Sequence, residues 1–474
     1  MDKDAIERQP VFWYYGSASI AFGIKNNAFS YLLLIYANQV LGLPGYLASL
    51  ALAIAMLWDA VSDLLLGHWS DKTSSRLGRR HPFMYSALLF LPPCFYALFN
   101  PLIELNEHNV FAYVLVMALL IRTGTTLFEV PSTALLPDLE SDYDRRNKWL
   151  ALRHAFGWYG GNGIHTINFL FFVGAYGVTV QTGYSIYGIV GAVLIVLAIL
   201  ISSLGTQKVA SSLPRPTETF KLKEIAYEIG QILQSLKNRN FAALFFYGLA
   251  VGIAAGLGMA LYLYNTTYFF GFTGGQIAAT GVAIFIAPAI AYWAAPYFGK
   301  LYGKKQAAIG AILVNIVLYP IPYILLLAGW WPELGSWLGL YIYTIFVVTE
   351  VVCGITGNVL LDSMMADVVE DSEVATQRRS EGLFYAARGF AFKAISAGGI
   401  IGAGTIVSIV GLDSITSLEL VTYDIRLKLA MLFLPLYCSL FLIGLCIVSR
   451  YRIDRDGHGS NLERLSERRK MTDA

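Results

Sequence analysis

Ten ionisable side chains lie inside long apolar segments of the sequence, where an isolated charge is costly. These residues are Lys25, Asp59, Asp63, Arg122, Glu129, Arg153, Glu350, Asp362, Arg388 and Lys393. On membrane-insertion scales each costs at least about 2.5 kcal/mol at the middle of a bilayer, so such residues are candidates for function. Structural ion pairs between helices are the alternative, but ten charges exceed what packing alone requires.

Two of the acidic residues are four positions apart. Asp59 and Asp63 therefore project from the same side of a helix, with the hydroxyl of Ser62 nearby. Like charges repel each other in a low dielectric unless a cation lies between them or a proton neutralises one of them. The pair predicts a binding site for Na⁺ or a proton, and we expect no other metal ion and no organic cofactor.

A second set of polar residues is predicted to lie on one face of a single helix. Arg122, Thr126, Glu129 and Thr133 follow one another at spacings of four, three and four in an otherwise apolar stretch. We expect this stripe to face a water-filled cavity. A hydrogen-bonded seam between two helices would need the same spacing and is the alternative.

The elements that carry these residues are predicted to be membrane helices. Of the 474 residues, 56% are hydrophobic and 14% are charged, whereas about 25% are charged in a typical soluble domain. A membrane-spanning helix needs about 20 mainly apolar residues. Twelve such segments occur, at residues 12–39, 45–69, 83–101, 109–136, 149–174, 184–205, 241–269, 275–299, 305–328, 336–364, 381–411 and 427–449. We therefore expect an all-α integral membrane protein with twelve transmembrane helices.

The basic residues between these segments predict the orientation. Lys and Arg are concentrated in the loops that follow segments 2, 4, 8 and 10 and in the C-terminal tail, and they are absent from most of the other loops. Because cytoplasmic loops carry the excess of Lys and Arg, both termini are predicted to be cytoplasmic. We expect a multi-pass protein of the plasma membrane, which is the inner membrane if the source is bacterial.

A polar stretch divides the twelve segments into two sets of six. We predict an N-terminal six-helix bundle at 1–206, a cytoplasmic linker at 207–240, a C-terminal six-helix bundle at 241–450 and a cytoplasmic tail at 451–474. The two halves share a weak repeat, because Asp138 and Asp367 each precede an acidic run and a pair of arginines. Transporters are commonly built from such repeats, with the solute site between the halves.

A longer motif carries a family resemblance. Residues 67–82 read GHWSDKTSSRLGRRHP, which resembles the loop 2–3 signature of the major facilitator superfamily in the form found in glycoside–pentoside–hexuronide:cation symporters. Further matches are WDAVSD at 58–63, VP at 130–131, and RSEG at 379–382 followed by Lys393. The resemblance implies the major facilitator fold and a cytoplasmic gate formed by Asp71, Arg79, Arg80, Asp142, Arg146, Asp367 and Arg379.

The resemblance also implies roles for the buried charges. Asp59 and Asp63 would be ligands of the coupling cation, with Ser62 and Thr126 as neighbours, and Lys393 would lie close to both carboxylates. The residues expected to contact the solute are Lys25, Arg122, Glu129, Thr133, Arg153, Asn358, Arg388 and Lys393.

Departures from the family's sugar permeases point to the solute. Gly23, Thr133 and Asn358 stand where those permeases have an acidic sugar ligand and two tryptophans, whereas Arg122 and Arg388 replace uncharged residues. Guanidinium groups bind carboxylates or sulfonates through paired hydrogen bonds. We therefore expect an anionic glycoside or uronide, imported together with Na⁺ or H⁺ by alternating access.

Other functions stay open to different degrees. The arginines could instead pair with Glu129 and Glu350 around a neutral glycoside, or the solute could be an amphipathic lipid or a steroid. No metal-ligand cluster, nucleophile motif or phosphate loop occurs in the sequence, so an enzyme is not expected. The net charge of +2 gives no reason to expect nucleic acid as a partner. The expected partners are a small-molecule solute and membrane lipid, and a monomer is sufficient for this architecture.

Overall fold

The computed structural model describes residues 3–140, 142–211, 230, 234–376, 381–415, 417–453 and 463. Within these residues the regular secondary structure is helical throughout. The helices of seven or more residues are α1 (Lys3–Asn27), α2 (Gly45–Asp71), α3 (His81–Phe99), α4 (Val110–Ala134), α5 (Tyr143–Phe171), α6 (Gln181–Ser211), α7 (Arg239–Tyr264), α8 (Gly274–Ile284), α9 (Ala287–Tyr302), α10 (Lys304–Leu318), α11 (Ile321–Leu327), α12 (Trp337–Thr376), α13 (Glu381–Val410) and α14 (Tyr423–Val448).

Each of the twelve predicted segments overlaps at least one of these helices, so the all-helical membrane fold is confirmed. Ten helical stretches in the described residues are long and apolar enough to cross a membrane. The other two predicted segments correspond to α5 and α13, and in α13 only Ile395–Val410 forms a shorter apolar stretch. The count of twelve spans stays a prediction that agrees with the fold.

Two of the predicted segments are broken helices. The predicted segment 275–299 is divided into α8 and α9 just before Pro288. The predicted segment 305–328 is divided into α10 and α11 at Pro320. Proline lacks a backbone N–H and its ring clashes with the preceding turn, so it interrupts a helix. The C-terminal extensions of α1 and α7 contain π-helical turns at Tyr36–Val40 and Asn265–Phe269, a feature that is frequent at functional sites.

The chain folds into two compact units. Unit 1 comprises Met1–Ile225, Met259–Val282 and Ile400–Ile425, and unit 2 comprises Ala226–Gly258, Ala283–Gly399 and Arg426–Ala474. The first boundary falls inside the predicted linker at 207–240, of which residues 212–229 and 231–233 lie outside the described residues. Two stretches from the C-terminal half thus pack with the N-terminal helices in unit 1.

Glycine allows close helix crossings within each unit. In unit 1 a Cβ added to Gly161 on α5 would lie 3.0 Å from the carbonyl oxygen of Gly23 on α1. In unit 2 a Cβ added to Gly399 on α13 would lie 2.6 Å from the backbone nitrogen of Leu257 on α7. Small residues at such crossings let the helix backbones approach each other, which is the usual basis of helix packing in membranes.

Candidate functional site

Helices α2 and α4 place a buried ion pair inside unit 1. The Nη1 atom of Arg122 lies 3.3 Å from Oδ2 of Asp59, and the two residues are 5% and 1% exposed. The guanidinium carbon of Arg122 lies 4.4 Å from the centroid of the Phe29 ring, a cation–π contact. The sequence predicted Asp59 as a cation ligand and Arg122 as a solute ligand, and the structure shows that they contact each other.

Two hydroxyl groups lie one turn away from this pair. The Oγ of Ser62 and the Oγ1 of Thr126 are 3.0 Å apart, and both residues are buried. Ser62 also donates to the carbonyl oxygen of Asp59, and Thr126 donates to that of Arg122, each over 3.1 Å. Three of the four predicted cation-site residues are therefore neighbours, while Asp63 is half-buried on the same helix.

A second buried guanidinium lies between α4 and α5. The Nη2 of Arg153 donates to the hydroxyls of Ser132 and Thr133 over 2.9 and 2.8 Å. Its guanidinium carbon lies 5.1 Å from the centroid of the Tyr15 ring, and the residue is 8% exposed. Glu129 interacts with Arg153 electrostatically. Arg153 and Thr133, both predicted to contact the solute, thus contact each other.

The two guanidinium groups lie at different depths. Arg122 and Thr133 are eleven residues apart on α4, which corresponds to about 16 Å at the rise of an α-helix. Along the predicted stripe Arg122 and Thr126 are buried, Glu129 is half-buried and Thr133 is exposed. Arg122 and Thr126 therefore form a seam against α2, as in the alternative interpretation. Glu129 and Thr133 are more exposed.

Each guanidinium also has a nitrogen without a hydrogen-bond acceptor. The Nε of Arg122 and the Nη1 of Arg153 are buried and have no partner in the described part of the chain. Buried donors are normally satisfied, so each such exception needs an explanation. Acceptor atoms of a bound molecule could satisfy each of these nitrogens.

The remaining predicted residue of unit 1 is Lys25 on α1. It is 1% exposed, its Nζ donates to Asn26 Oδ1 over 2.8 Å, and it lies 4.9 Å from the centroid of the Phe22 ring. The neighbouring Gly23, which replaces an acidic sugar ligand, packs directly on the backbone of α5, where a Cβ would lie 2.7 Å from the nitrogen of Gly161. No side chain fits at Gly23 without displacing α5.

Unit 2 carries the other predicted solute residues. Asn358 is exposed on α12 and Lys393 is half-buried on α13. Glu350 accepts a hydrogen bond of 3.1 Å from the hydroxyl of Tyr437. The side chain of Arg388 and the gate residue Arg379 lie outside the described residues.

Three predicted gate residues form a compact cluster at one end of unit 1. Arg79 Nη2 donates to both carboxylate oxygens of Asp138 over 2.8 and 2.9 Å. Arg80 donates to Asp138 over 2.5 Å and to Asp71 over 2.8 Å. Gly78 has φ +93°, and a Cβ there would meet the carbonyl oxygen of Ala210 at 3.1 Å, so the turn that positions both arginines favours glycine.

The other gate residues have separate contacts. Asp142 caps α5 by accepting a hydrogen bond of 2.8 Å from the backbone nitrogen of Arg145, and Arg146 Nε donates to the carbonyl oxygen of Glu140 over 2.8 Å. In unit 2, Asp367 accepts two hydrogen bonds from Lys304 Nζ, over 2.6 and 2.8 Å.

Asp138 and Lys304 contact predicted gate residues but were not themselves predicted at the gate. The signal for Asp138 was available, because the internal repeat aligns it with Asp367. Lys304 gives a weaker signal of this contact, since in the sequence it is one of several basic loop residues that predict only the orientation.

A polar cluster at the other end of unit 1 was also missed. Asp413 accepts hydrogen bonds from Asn38 Nδ2 over 2.8 Å and from the backbone nitrogen of Gly45 over 3.0 Å. The hydroxyl of Tyr264 donates to Asn38 Oδ1 over 2.9 Å, and that of Tyr268 donates to Gln39 Oε1 over 3.1 Å. These bonds tie the helical extension that follows α1 and the end of α7 to the loop after α13, at the end predicted to be extracellular.

Comparison with known proteins identifies the family. A family model described as MFS/sugar transport protein matches residues 14–455. A solved structure of the nucleoside transporter NupG superposes with a TM-score of 0.61, at 13% identity, over 94% of this chain and 100% of that chain. At this identity the superposition shows the fold alone.

Three curated relatives are similar in sequence. The sphingosine-1-phosphate transporter MFSD2B of Xenopus tropicalis is 24% identical over 91% of this chain and 86% of its own length. The uncharacterized symporter sll1374 of Synechocystis is 29% identical over 41% of this chain, and the lactose permease of Lactobacillus delbrueckii is 23% identical over 56% of it. The last two matches span only 36% and 43% of those proteins.

Proposed function

The chain belongs to the MFS/sugar transport protein family, and on that premise we propose that it is a cation-coupled symporter of a small anionic solute. The coarser statement, that it is a multi-pass membrane transporter, follows from the family and from its apolar helices. The solute class we favour is an acidic glycoside or uronide. The coupling ion is Na⁺ or H⁺.

One observation carries the preference for an anion. Arg122 and Arg153 are buried, permanently charged, and each retains a nitrogen without an acceptor. An ionised oxygen accepts roughly twice as strong a hydrogen bond from a guanidinium as a neutral oxygen does. A carboxylate, sulfonate or phosphate therefore matches these donors better than a neutral sugar hydroxyl.

The Asp59–Arg122 pair suggests how the solute and the cation are coupled. Arg122 forms an ion pair with Asp59. A solute anion that recruits Arg122 weakens this pairing, and the buried carboxylate then binds a cation or a proton more favourably. In this proposal the neighbouring hydroxyls of Ser62 and Thr126 would supply oxygen ligands to Na⁺. Binding of the anion and of the cation would strengthen each other by the same factor.

An amphipathic lipid with an anionic headgroup is the second candidate solute. The relative that aligns with 91% of this chain is named a sphingosine-1-phosphate transporter. The axial separation of about 16 Å between the two guanidinium levels exceeds what one compact sugar acid spans, and an elongated molecule could contact both levels. A compact solute would instead contact them in succession.

Ligand-induced thermal stabilisation tests the solute class. The purified protein is heated with an acidic glycoside, its neutral counterpart or a lysophospholipid, each with and without Na⁺ and at two pH values. A ligand at 100 times its Kd stabilises by about 2.7 kcal/mol. We expect the acidic glycoside to stabilise the protein, more so with the coupling ion, and Arg122→Gln to remove the effect.

The exposed Arg76 supplies the control, since Arg76→Gln removes the same charge outside the predicted site. Equal stabilisation by the neutral glycoside would contradict the anionic solute. Stabilisation by the lysophospholipid alone would favour the second candidate.

A further inference from the structure

Unit 2 contains a cavity that the proposed solute site does not use. Its volume is about 1350 Å³, and its walls come from the ends of α7, α9, α10 and α14 and from α12. Six basic residues line it, namely Arg239, Lys300, Lys304, Lys305, Arg450 and Arg452. Asp367 is the one acidic residue among the described lining residues. The described lining residues therefore carry five more positive than negative charges.

Two of the six basic residues are engaged by the protein itself. Lys304 holds Asp367, as described above. Lys305 Nζ donates to the carbonyl oxygens of Ser449 and Tyr451, each over 2.7 Å, and so satisfies backbone acceptors beyond the end of α14. These contacts hold α10 against α12 and against the residues that follow α14.

The other four basic side chains have no such contact. Arg239, Lys300, Arg450 and Arg452 are exposed, and no acceptor for their side chains is found in the described ranges. Four cations that share one cavity repel one another, and an anion bound among them would offset that repulsion. Phosphate groups are the anions for which Arg and Lys clusters are best suited.

The apolar surroundings favour a lipid as the source of that phosphate. Leu301 and Tyr302 line the cavity and are 57% and 61% exposed. Phe298 stacks on Tyr302 with ring centroids 6.3 Å apart and is itself exposed. Tyr and Trp side chains of membrane proteins are enriched at the headgroup level, where acyl chains and phosphates meet. The positive loop charges predict that this end faces the cytoplasm.

We propose that this cavity binds a phosphate-bearing anion and that its occupant is the headgroup of an anionic phospholipid of the cytoplasmic leaflet. Basic pockets between transmembrane helices on that side bind such headgroups. The competing explanation is that the four residues serve only to orient the chain during insertion. That role requires charge in the loops but no cavity and no preference among lipids.

Native mass spectrometry of the full-length protein in detergent tests the proposal. The protein is titrated with phosphatidylglycerol, with phosphatidylcholine of the same acyl chains, and with inorganic phosphate as a competitor. The test variant combines Arg239→Gln, Lys300→Gln, Arg450→Gln and Arg452→Gln. The control variant combines Arg76→Gln, Arg145→Gln, Lys148→Gln and Lys208→Gln, which removes four exposed charges from the predicted cytoplasmic side of unit 1.

We expect the wild type to prefer phosphatidylglycerol, the test variant to bind it at least about ten-fold more weakly, and the control variant to bind as the wild type does. The four single variants, which perturb the fold less, should each show part of the loss. Equal losses in the test and control variants, or no preference for phosphatidylglycerol, would overturn the site. Displacement of the lipid by millimolar inorganic phosphate would overturn the assignment to a lipid headgroup.

Discussion

Units 1 and 2 each hold an aspartate at corresponding positions of the internal repeat, but they surround it with different cations. In unit 1, Asp138 accepts from two arginines, and Asp71 shares one of them. In unit 2, Asp367 accepts from Lys304 and from the hydroxyl of Tyr451, the latter over 3.5 Å. The first cluster balances two arginines with two carboxylates, whereas the second has basic residues to spare.

The difference separates two uses of positive charge in a transporter. A balanced cluster of buried and half-buried ions stabilises a local structure and offers little to an outside anion. A cluster with more basic than acidic residues pairs its carboxylate with one of them and leaves the other basic side chains available for a ligand. Burial raises the pKa of the Tyr451 hydroxyl, and the neighbouring Asp367 carboxylate raises it further. The aspartate of unit 2 therefore lies in an enclosed environment.

The largest effect is expected from Asp138→Asn. The substitution leaves Arg79 and Arg80 without their shared acceptor, and Arg80 is only 8% exposed in its side chain. Removal of one partner from a buried pair costs about 3–5 kcal/mol, and we expect the lower end because Asp138 is 15% exposed. Thermal unfolding in detergent measures the loss. Asp142→Asn, which changes only an exposed helix cap, should cost less than about 1 kcal/mol; a larger loss there would contradict the comparison.

An intermediate effect is expected from Asp367→Asn. Lys304 is 36% exposed in its side chain and can regain water, so the loss of stability should be about 1–2 kcal/mol, smaller than for Asp138→Asn. The same substitution removes the acid from the basic cavity and should tighten binding of phosphatidylglycerol. Both quantities can be measured on one preparation. If a stable Asp367→Asn protein bound phosphatidylglycerol more weakly, the excess of positive charge could not be the cause of lipid binding.

The smallest effect is expected from Tyr451→Phe. It removes a hydrogen bond of 3.3 Å to the carbonyl oxygen of Met364 and the longer contact with Asp367, but keeps the buried ring. A typical hydrogen bond contributes about 0.5–1.5 kcal/mol, so the unfolding temperature should fall slightly and lipid binding should not change. A loss as large as that of Asp367→Asn would show that Tyr451, rather than Lys304, holds the aspartate.

The fold was predictable because a bilayer imposes simple rules. Spans need about 20 apolar residues, and those runs are visible in the sequence even where α5 and α13 carry several charges. Helix breaks were less predictable, since Pro288 and Pro320 interrupt helices whereas Pro92 and Pro93 lie inside α3. Tertiary packing decides between these outcomes.

The site was predictable in part. The grouping of Asp59, Ser62 and Thr126 followed from helical spacing and from the family resemblance. The pairing of Arg122 with Asp59 did not, because it depends on how α2 and α4 are rotated towards each other. The separation of Arg122 from Arg153 was also hidden, since the contacts of Arg153 with Ser132 and Thr133 fix its level along α4.

Uptake into proteoliposomes tests the coupling through Asp59 most directly. Accumulation of an acidic glycoside is driven by an imposed Na⁺ or proton gradient in the wild type, in Asp59→Asn and in Asp63→Asn, with exchange of solute across the membrane measured in parallel. We predict that the wild type accumulates the solute against its gradient and that both variants lose accumulation, with Asp59→Asn retaining exchange. Accumulation by Asp59→Asn equal to that of the wild type would contradict the proposed coupling.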